Sequence, residues 1–304
     1  MRRRDVLMGL GAALVTACAR GENAAPGRAA SPGAAGEAPA SDPFAALEAS
    51  VGGRVGVYAL DTGSGRQLGR REDERFAMCS TFKWALVAAI LARVDRGELA
   101  LDERVPYGAS DLLEYAPATR AHVGEGSMTV EALAQAAITK SDNTAANLLL
   151  TRVDGPAGLT RFLRRTGDPI TRLDRNEVSL NGNERGDVRD TTSPRAMANL
   201  LRLVLCGDAL SPPSRARLEG WLRACETGKE RLRAGLPADW AAGDKTGTGA
   251  NGAVNDVAFV VPPGRAPLVI AAYLSESRAP LAALVTAHAE IARIVARELG
   301  RTAT

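Results

Sequence analysis

One stretch of the chain, residues 82–94, is apolar almost all the way round a helix, and it constrains the fold more than any other feature. A helix without a polar face cannot lie on a surface, so other elements must cover it on every side. The stretch ends at Arg96-Gly97, a basic residue and a glycine that suit a helix C-terminus. The sequence therefore predicts a chain folded around one central helix, with Ser80 at its N-terminus.

Strand patterns lie only toward the two ends of the folded part, at residues 54–68, 255–261 and 268–275. The middle, residues 78–224, has helical periodicity broken by long loops, and an amphipathic helix is predicted over residues 280–299. Strands at both ends with helices between them imply one sheet made from the two termini. We therefore expect an α/β fold, in which an antiparallel sheet built from the N- and C-terminal segments is flanked by helices and carries an inserted all-helical domain.

The first 41 residues differ in character from the rest. Residues 1–18 place three arginines before an apolar stretch too short to span a bilayer comfortably, which predicts an export signal. Arg3-Arg4 resembles a twin-arginine signal. Val15-Thr16-Ala17-Cys18 resembles a lipobox, in which Cys18 becomes lipidated, and an ordinary signal cleaved after Ala19 is the alternative. Residues 19–41 are mostly Ala, Gly, Pro and Ser, a composition typical of a disordered tether.

The remaining chain, residues 42–304, is expected to be the folded unit, with an α/β part at about 42–77 and 225–304 and a helical part at about 78–224. It has no apolar run of about 18 residues, so a transmembrane bundle is excluded. Membrane contact is then expected only through a lipid anchor at Cys18, on a cell-envelope lipoprotein or a secreted or periplasmic protein.

Charge gives little evidence of a macromolecular partner. The net charge is +3, and no Lys/Arg cluster interleaves with aromatic residues as a nucleic-acid face would require. Among the 38 basic residues only Lys83, Lys140, Lys229 and Lys245 are lysines. Arginine keeps its proton, whereas lysine can lose one when it is desolvated. The lysines are therefore candidates for chemistry.

Ser80-Thr81-Phe82-Lys83 places a hydroxyl and an amine one turn apart on the same face of the central helix. A serine is a weak nucleophile until a neighbouring group takes its proton. A helix cap followed by a solvated lysine is the alternative, but an unpaired lysine on a buried helix would be costly. Ser80 and Lys83 are thus a candidate nucleophile and base.

Two further motifs have structural explanations when each is taken alone. Ser141-Asp142-Asn143 lies between two helical patterns, where such residues commonly cap a helix. Lys245-Thr246-Gly247 lies just before the late strands, where a strand-edge turn is the alternative. With Ser80 and Lys83, in this order and at these separations, the set resembles the penicillin-recognising serine enzymes. The resemblance covers the chain from about residue 42 onward.

Residues 172–181 narrow the resemblance to the class A β-lactamases, because Glu177 and Asn181 occupy the E-x-x-x-N positions of their omega loop. A carboxylate and an amide four residues apart can hold one water between them, and the carboxylate can act as its general base. A solvated acid in a loop is the alternative. The resemblance implies hydrolysis of β-lactam antibiotics through a serine acyl-enzyme, deacylated by a Glu-activated water.

The resemblance also implies roles for individual residues. Ser80 attacks the lactam carbonyl, and Lys83, or Glu177 through a water, activates the Ser80 hydroxyl. The backbone N–H groups of Ser80 and Thr248 form the oxyanion hole. Ser141 passes a proton to the departing nitrogen, and Asn181 helps Glu177 to aim the water. The implied substrate-binding residues are Tyr115, Asn143, Arg231, Lys245, Thr246, Gly247 and Thr248.

The assignment of Arg231 has a competing interpretation. Many family members bind the drug carboxylate with an arginine from the strand after Lys-Thr-Gly, but that position here is Val254. Arg231 matches the alternative arginine position of other members, and a surface arginine is the competing interpretation. Arg175 and Asp190 are expected to pair across the neck of the omega loop.

The cysteine pattern also departs from some members. Class A carbapenemases join the cysteine before the nucleophile to a cysteine at the position that is Gly249 here, so Cys79 is expected to be a free, buried thiol. A Cys206–Cys225 bridge is not expected, because the ends of successive helices lie about 15 Å or more apart. We therefore expect penicillins and earlier cephalosporins to be better substrates than carbapenems.

Other functions share part of this pattern. A D-alanyl-D-alanine peptidase or penicillin-binding protein, and a tethered β-lactam sensor, would share the three motifs but lack Glu177. The two histidines form no H-x-H cluster and no G-x-S-x-G motif occurs, which disfavours a zinc lactamase and an α/β-hydrolase. We expect a monomer that acts on small-molecule substrates and needs neither a metal nor a cofactor.

Overall fold

The computed structural model describes residues 42–300, so the predicted export signal, Cys18 and the tether lie outside the described residues. Its α-helices are α1 (Ala45–Val51), α2 (Phe82–Asp95), α3 (Pro117–Ala121), α4 (Val130–Thr139), α5 (Asn143–Thr151), α6 (Gly155–Thr166), α7 (Pro194–Cys206), α8 (Pro212–Arg223) and α9 (Leu281–Leu299). Its strands are β1 (Arg54–Asp61), β2 (Gln67–Arg70), β3 (Phe76–Ala77), β4 (Arg104–Pro106), β5 (Ser127–Thr129), β6 (Thr191–Thr192), β7 (Ala241–Thr248), β8 (Val254–Val261) and β9 (Leu268–Ser275).

The main sheet has the strand order β2-β1-β9-β8-β7, and every neighbouring pair is antiparallel. The N-terminal hairpin therefore joins the C-terminal strands in one sheet, and the helices α2 to α8 come between them along the chain. This confirms the predicted α/β architecture. Pairs β3–β6 and β4–β5 form two small sheets that the sequence analysis did not predict.

The strand β7 corrects one expectation. Lys245-Thr246-Gly247 lies inside this edge strand, not in a turn ahead of the strands. Along its whole length β7 pairs with β8, from Ala241 opposite Val261 to Thr248 opposite Val254. The motif therefore presents its side chains from a rigid strand.

The helix α2 is covered on every side, as its sequence predicts. Its residues from Phe82 to Ala92 are buried, and it packs against α4, α5, α6 and α8. Burying one large side chain such as Trp84 or Leu86 contributes roughly 1.5–3 kcal/mol. On the face of the main sheet that points away from α2, a second apolar cluster packs against α9 and α1. The first turn of the central helix is thus held by the bulk of the core.

Side-chain caps fix the helices that flank the second motif. The Thr129 hydroxyl accepts from Ala132 N at the start of α4, and the Asp142 carboxylate accepts from Ala145 N at the start of α5. Between these helices Ser141 has a left-handed backbone, with φ 58°. Such a conformation is uncommon for a residue with a side chain and clusters at functional sites. Within residues 42–300, no helix is long and apolar enough to cross a membrane.

Candidate active site

A cavity of about 360 Å³ lies where β7, the start of α2 and the loop before α5 meet. It is lined by Ser80, Tyr115, Ser141, Asn143, Asn181, Thr227, Arg231, Thr246, Gly247 and Thr248. Apart from Thr227, these are residues that the sequence analysis selected. The other three selected side chains, Lys83, Glu177 and Lys245, are buried beside it.

Ser80 lies in a 3-10 turn, Cys79–Thr81, that leads directly into α2. The free N–H groups and the helix dipole at this end favour negative charge. Cys79, just before Ser80, has a left-handed backbone, with φ 46°. The Ser80 hydroxyl donates to Glu177 Oε1 at 3.1 Å. The candidate nucleophile is therefore in direct contact with a carboxylate.

Lys83 is fully buried, and its ammonium group is saturated with acceptors. Its Nζ lies 2.9 Å from Glu177 Oε1. It donates to Ser141 O at 2.8 Å and to Asn143 Oδ1 at 2.5 Å. Burial lowers the pKa of Lys83, and the adjacent Glu177 carboxylate acts in the opposite direction. Lys83 can therefore exchange a proton with the groups around it more readily than a surface lysine.

Glu177 is held by amide groups on both sides. Asn181 Nδ2 donates to Glu177 Oε2 at 2.7 Å. Asn147, on α5, accepts from Glu177 N at 3.0 Å and donates to Glu177 O at 2.9 Å. Asn181 Oδ1 is buried and has no hydrogen-bond partner among the described residues. The Glu177 carboxylate is thus fixed, and an amide oxygen beside it stays available as an acceptor.

The neck of the loop that carries Glu177 is closed by the predicted ion pair. Arg175 Nε lies 2.5 Å from Asp190 Oδ2, and Asp190 is completely buried. Asp190 Oδ1 also accepts from the backbone N–H groups of Asp174 and Arg175. Removing one partner of a buried pair costs on the order of 3–5 kcal/mol. The position of Glu177 therefore depends on this pair.

Lys245 is the second fully buried lysine of the site. Its Nζ donates to Ser141 Oγ at 2.9 Å and to Thr246 O at 2.8 Å. Burial lowers the pKa of Lys245 from its ordinary value of 10.5 to about 8, and the positive charge of Lys83 adds to this. Ser141 thus links the two lysines, because its carbonyl accepts from Lys83 and its hydroxyl from Lys245.

The comparisons with known proteins agree with this geometry. A family profile described as the beta-lactamase enzyme family matches residues 39–299. The carbapenem-hydrolyzing beta-lactamase KPC of Klebsiella oxytoca is 49% identical over 79% of this chain and 81% of its own. Beta-lactamase L2 of Stenotrophomonas maltophilia is 48% identical over 86% of both chains.

Solved structures extend the likeness to the fold. An ancestral class A beta-lactamase, that of the last common ancestor of Gram-negative bacteria, is 57% identical to this chain. The two structures match with a TM-score of 0.83 over 84% of this chain and 98% of the ancestral one. A beta lactamase from Xanthomonas campestris is 50% identical with a TM-score of 0.83, over 85% and 96%. This chain belongs to the class A β-lactamase family.

In this class A β-lactamase, Arg231 is not the surface residue that the competing interpretation allowed. It is 8% exposed and lines the cavity. Its Nη1 donates to the carbonyls of Gly247 and Asn255, and its Nη2 donates to Thr248 Oγ1 at 2.8 Å. Arg231 therefore ties the end of β7 to β8 and brings a positive charge to the cavity wall.

Gly247 explains how β7 of this β-lactamase approaches the candidate nucleophile, Ser80, so closely. A Cβ atom at Gly247 would lie 2.7 Å from Met78 O and 3.2 Å from Ser80 N, closer than side chains normally pack. The glycine therefore allows the backbone of Gly247 and Thr248 to lie against the Ser80 turn. Across the cavity Tyr115 is 52% exposed, and its carbonyl accepts from Asn143 N at 3.0 Å.

The cysteines of this family member are free within the described residues, as predicted. Cys79 is buried against Gly249, where a built Cβ would lie 2.6 Å from its Sγ atom. Burial raises the pKa of the Cys79 thiol to about 12, so it keeps its proton at neutral pH. Cys206 is exposed and Cys225 buried, and no bridge joins them.

The structure of this β-lactamase brings into the site two residues to which the sequence assigned no role. Asn147, on α5, forms two hydrogen bonds with the backbone of Glu177. The sequence feature that could have revealed it is an asparagine, a poor helix former, inside a helix. Thr227 lines the cavity from the loop after α8, and no motif marks it. Among residues 42–300, no group of three or more His, Cys, Asp or Glu side chains could hold a metal ion.

Proposed function

We propose that this chain hydrolyses β-lactam antibiotics through an acyl-enzyme on Ser80, which a water activated by Glu177 then releases. The observation that supports it most strongly is the position of Glu177. One carboxylate oxygen contacts both Ser80 Oγ, at 3.1 Å, and Lys83 Nζ, at 2.9 Å, while the other accepts from Asn181. A carboxylate placed at the nucleophile is what separates turnover from permanent acylation.

In the acylation step, Ser80 Oγ attacks the lactam carbonyl carbon and its proton passes to the Lys83 and Glu177 pair. The carbonyl oxygen becomes negative, and the backbone N–H groups of Ser80 and Thr248 are proposed to stabilise it. Removing one oxyanion donor typically costs about a hundred- to thousand-fold in rate. The close approach of Gly247 to Ser80 N supports this pairing of the two backbones.

The ring C–N bond then breaks, and the departing nitrogen takes a proton from the Ser141 hydroxyl. Ser141 is replenished from the side of Lys83, and Lys245 at 2.9 Å from its oxygen favours release of the proton. This supports the role of Ser141 as the link between the buried lysines and the substrate. After the step, the drug remains attached to Ser80 as an ester.

Deacylation consumes one water. Glu177 takes a proton from the water as it attacks the ester carbon, Ser80 leaves with a proton, and the ring-opened acid is released. The Asn181 Oδ1 atom, which has no partner among the described residues, is proposed to accept the water's other hydrogen. General base catalysis of this kind contributes about 10²–10⁴ in rate.

The carboxylate of the drug is proposed to bind at the end of β7. Thr246 and Thr248 offer hydroxyl groups there, Ser141 a third, and Lys245 and Arg231 supply positive charge beneath them. Asn143 and Tyr115 are proposed to contact the side chain of the drug at the opposite wall.

Penicillins and earlier cephalosporins are proposed as the preferred substrates, whereas the Klebsiella relative is named for carbapenems.

One experiment separates this function from its rivals. The mature protein is incubated with an excess of a chromogenic cephalosporin, and product is followed per enzyme molecule. Sustained turnover is the expected result. A burst of one equivalent without further product would instead indicate a penicillin-binding protein or a sensor.

We also propose export and a monomeric state, with Cys18 as a lipid anchor. The signal-like residues 1–18 support export, and the lipobox-like residues before Cys18 support the anchor. A Cys18→Ala variant would then be recovered in the soluble fraction, while the parent protein would partition into detergent with the membranes.

A further inference from the structure

Thr227 is the cavity residue that neither the motifs nor the proposed mechanism uses. It is half-buried on the loop that follows α8 and faces the end of β7. Its Oγ1 atom lies 2.6 Å from Thr246 Oγ1, the hydroxyl proposed to bind the drug carboxylate. A contact this short between two hydroxyls is a hydrogen bond, and each hydroxyl has only one proton to donate. The direction of this bond therefore decides what Thr246 can offer to a substrate.

The neighbouring threonine shows the same arrangement with the direction fixed. Arg231 Nη2 lies 2.8 Å from Thr248 Oγ1. A guanidinium group has no acceptor, so Thr248 must accept from Arg231, and its own proton is left for the cavity. An incoming carboxylate only accepts hydrogen bonds, which makes that orientation of the Thr248 hydroxyl the productive one.

Behind Thr227 lies a thiol that can donate to its hydroxyl or accept from it. The Cys225 Sγ atom is 3.3 Å from Thr227 Oγ1. Burial raises the pKa of the Cys225 thiol, so the thiol keeps its proton at neutral pH and can donate it. A chain of donors can then run from Cys225 through Thr227 to Thr246, and hydrogen bonds in such a chain strengthen one another.

The loop that carries Thr227 is held in place on both sides. Glu226 N donates to Thr139 O at 2.9 Å, and Arg231 N donates to Gly228 O at 3.0 Å. A Cβ atom at Gly228 would overlap Asp244 Oδ2, so only glycine lets the loop lie this close to β7. Thr227 is therefore a fixed neighbour of Thr246.

We propose that Thr227 is a positioning residue: its hydroxyl donates to Thr246 Oγ1 and so directs the single proton of Thr246 toward the carboxylate of the substrate. This rests on the proposed β-lactam hydrolysis and adds a determinant of substrate recognition to it. In the opposite orientation Thr246 would donate to Thr227 and present only lone pairs to an anionic group, which would repel it.

The test pairs two variants with two substrates. Thr227→Val keeps the shape of the side chain and removes the hydroxyl, whereas Thr227→Ser keeps the hydroxyl. The substrates are benzylpenicillin and its methyl ester, which lacks the negative charge. Both are followed under single-turnover conditions at high enzyme concentration, so that the slow ester reaction stays measurable, and benzylpenicillin also in the steady state.

Thr227→Val should lower kcat/KM for benzylpenicillin roughly tenfold through a higher KM, with kcat little changed, because a bond to a charged group is weakened. The ester should react as fast as with the parent protein, and Thr227→Ser should restore the reaction with the acid.

An equal loss with acid and ester would mean that Thr227 is merely structural. An unchanged or faster reaction of Thr227→Val with the acid would show that the bond runs the other way. Both results overturn the proposal, whereas a parent protein that turns over neither penicillin nor a chromogenic cephalosporin would instead defeat the proposed function.

Discussion

The two sides of the cavity each contain a fully buried lysine, but the lysines are compensated differently. On the α2 side, Lys83 has the Glu177 carboxylate 2.9 Å away and two further acceptors. On the β7 side, Lys245 has a hydroxyl and a carbonyl, and no carboxylate among the described residues lies within ion-pair distance of its Nζ. Both contact Ser141, which stands between them.

Because of this difference, the α2 side is suited to proton transfer and the β7 side to binding an anion. A proton can move among Lys83, Ser80 and Glu177 without creating an isolated buried charge, because the pair stays neutral overall. Lys245 has no such counter-charge within contact, and burial lowers its pKa to about 8, with the nearby positive charge of Lys83 adding to this. We propose that the substrate carboxylate is the anion that compensates Lys245. We infer that the α2 side performs the chemistry and the β7 side recognises the drug.

Lys83→Arg removes the proton-transfer group on the α2 side and should have the largest effect on kcat/KM. Arginine keeps a positive charge but cannot lose its proton, and its planar group does not fit the place of an ammonium. We expect kcat/KM for benzylpenicillin to fall about a hundredfold or more, since general base catalysis contributes about 10²–10⁴. Lys140→Arg is the matched control, because Lys140 forms an exposed pair with Glu226. Retention of more than a tenth of the activity by Lys83→Arg would make Lys83 merely structural.

Arg231→Ala would weaken the β7 side without touching the proton-transfer groups. A charge-assisted hydrogen bond contributes roughly 1.5–3 kcal/mol, so kcat/KM for penicillins should fall about tenfold to a hundredfold. Arg231→Lys should restore little, since one ammonium cannot serve the carbonyls and Thr248 together. Arg217→Ala, at an exposed pair with Glu131, serves as the control. Unchanged kinetics of Arg231→Ala would remove Arg231 from substrate binding.

The pKa of Lys245 predicts a smaller effect that depends on pH. The side chain is cationic below a pH of about 8 and neutral above it, so raising the pH removes the charge that attracts the drug carboxylate. We expect kcat/KM to fall about twofold by pH 8 and about tenfold by pH 9. Lys245→Arg should move this decline to higher pH, because arginine keeps its proton. If the decline stayed at the same pH in that variant, Lys245 would not be the titrating group.

The sequence predicted the central helix and the shared sheet because their signals are long and periodic. It did not predict β7 as a strand, since Gly243, Asp244, Lys245 and Gly247 are poor strand formers and β8 supplies the pairing that makes them one. The pairs β3–β6 and β4–β5 are only two or three residues long, too short for any alternation to show. Local propensity could not reveal elements that depend on a distant partner.

The site residues were predicted by resemblance, whereas their contacts depend on the tertiary fold. The burial of Arg231 results from the loop after α8 folding onto β7 and β8. The clamp that Asn147 forms on Glu177 joins residues 30 positions apart. The left-handed backbone of Ser141, with φ 58°, has no sequence signature of its own. The sequence therefore indicated which groups to expect at the site but not the contacts that hold them there.

The central claim is that Glu177 releases the drug from Ser80, and Glu177→Gln tests it most directly. The amide keeps the shape of the side chain but cannot take a proton from water. Intact-protein mass spectrometry after mixing with benzylpenicillin should show a drug adduct on Ser80 that persists, while the parent protein returns to its free mass. Glu184→Gln, at an exposed position of the same loop, should behave like the parent protein. Turnover of Glu177→Gln at the parental rate, without an accumulating adduct, would contradict the account.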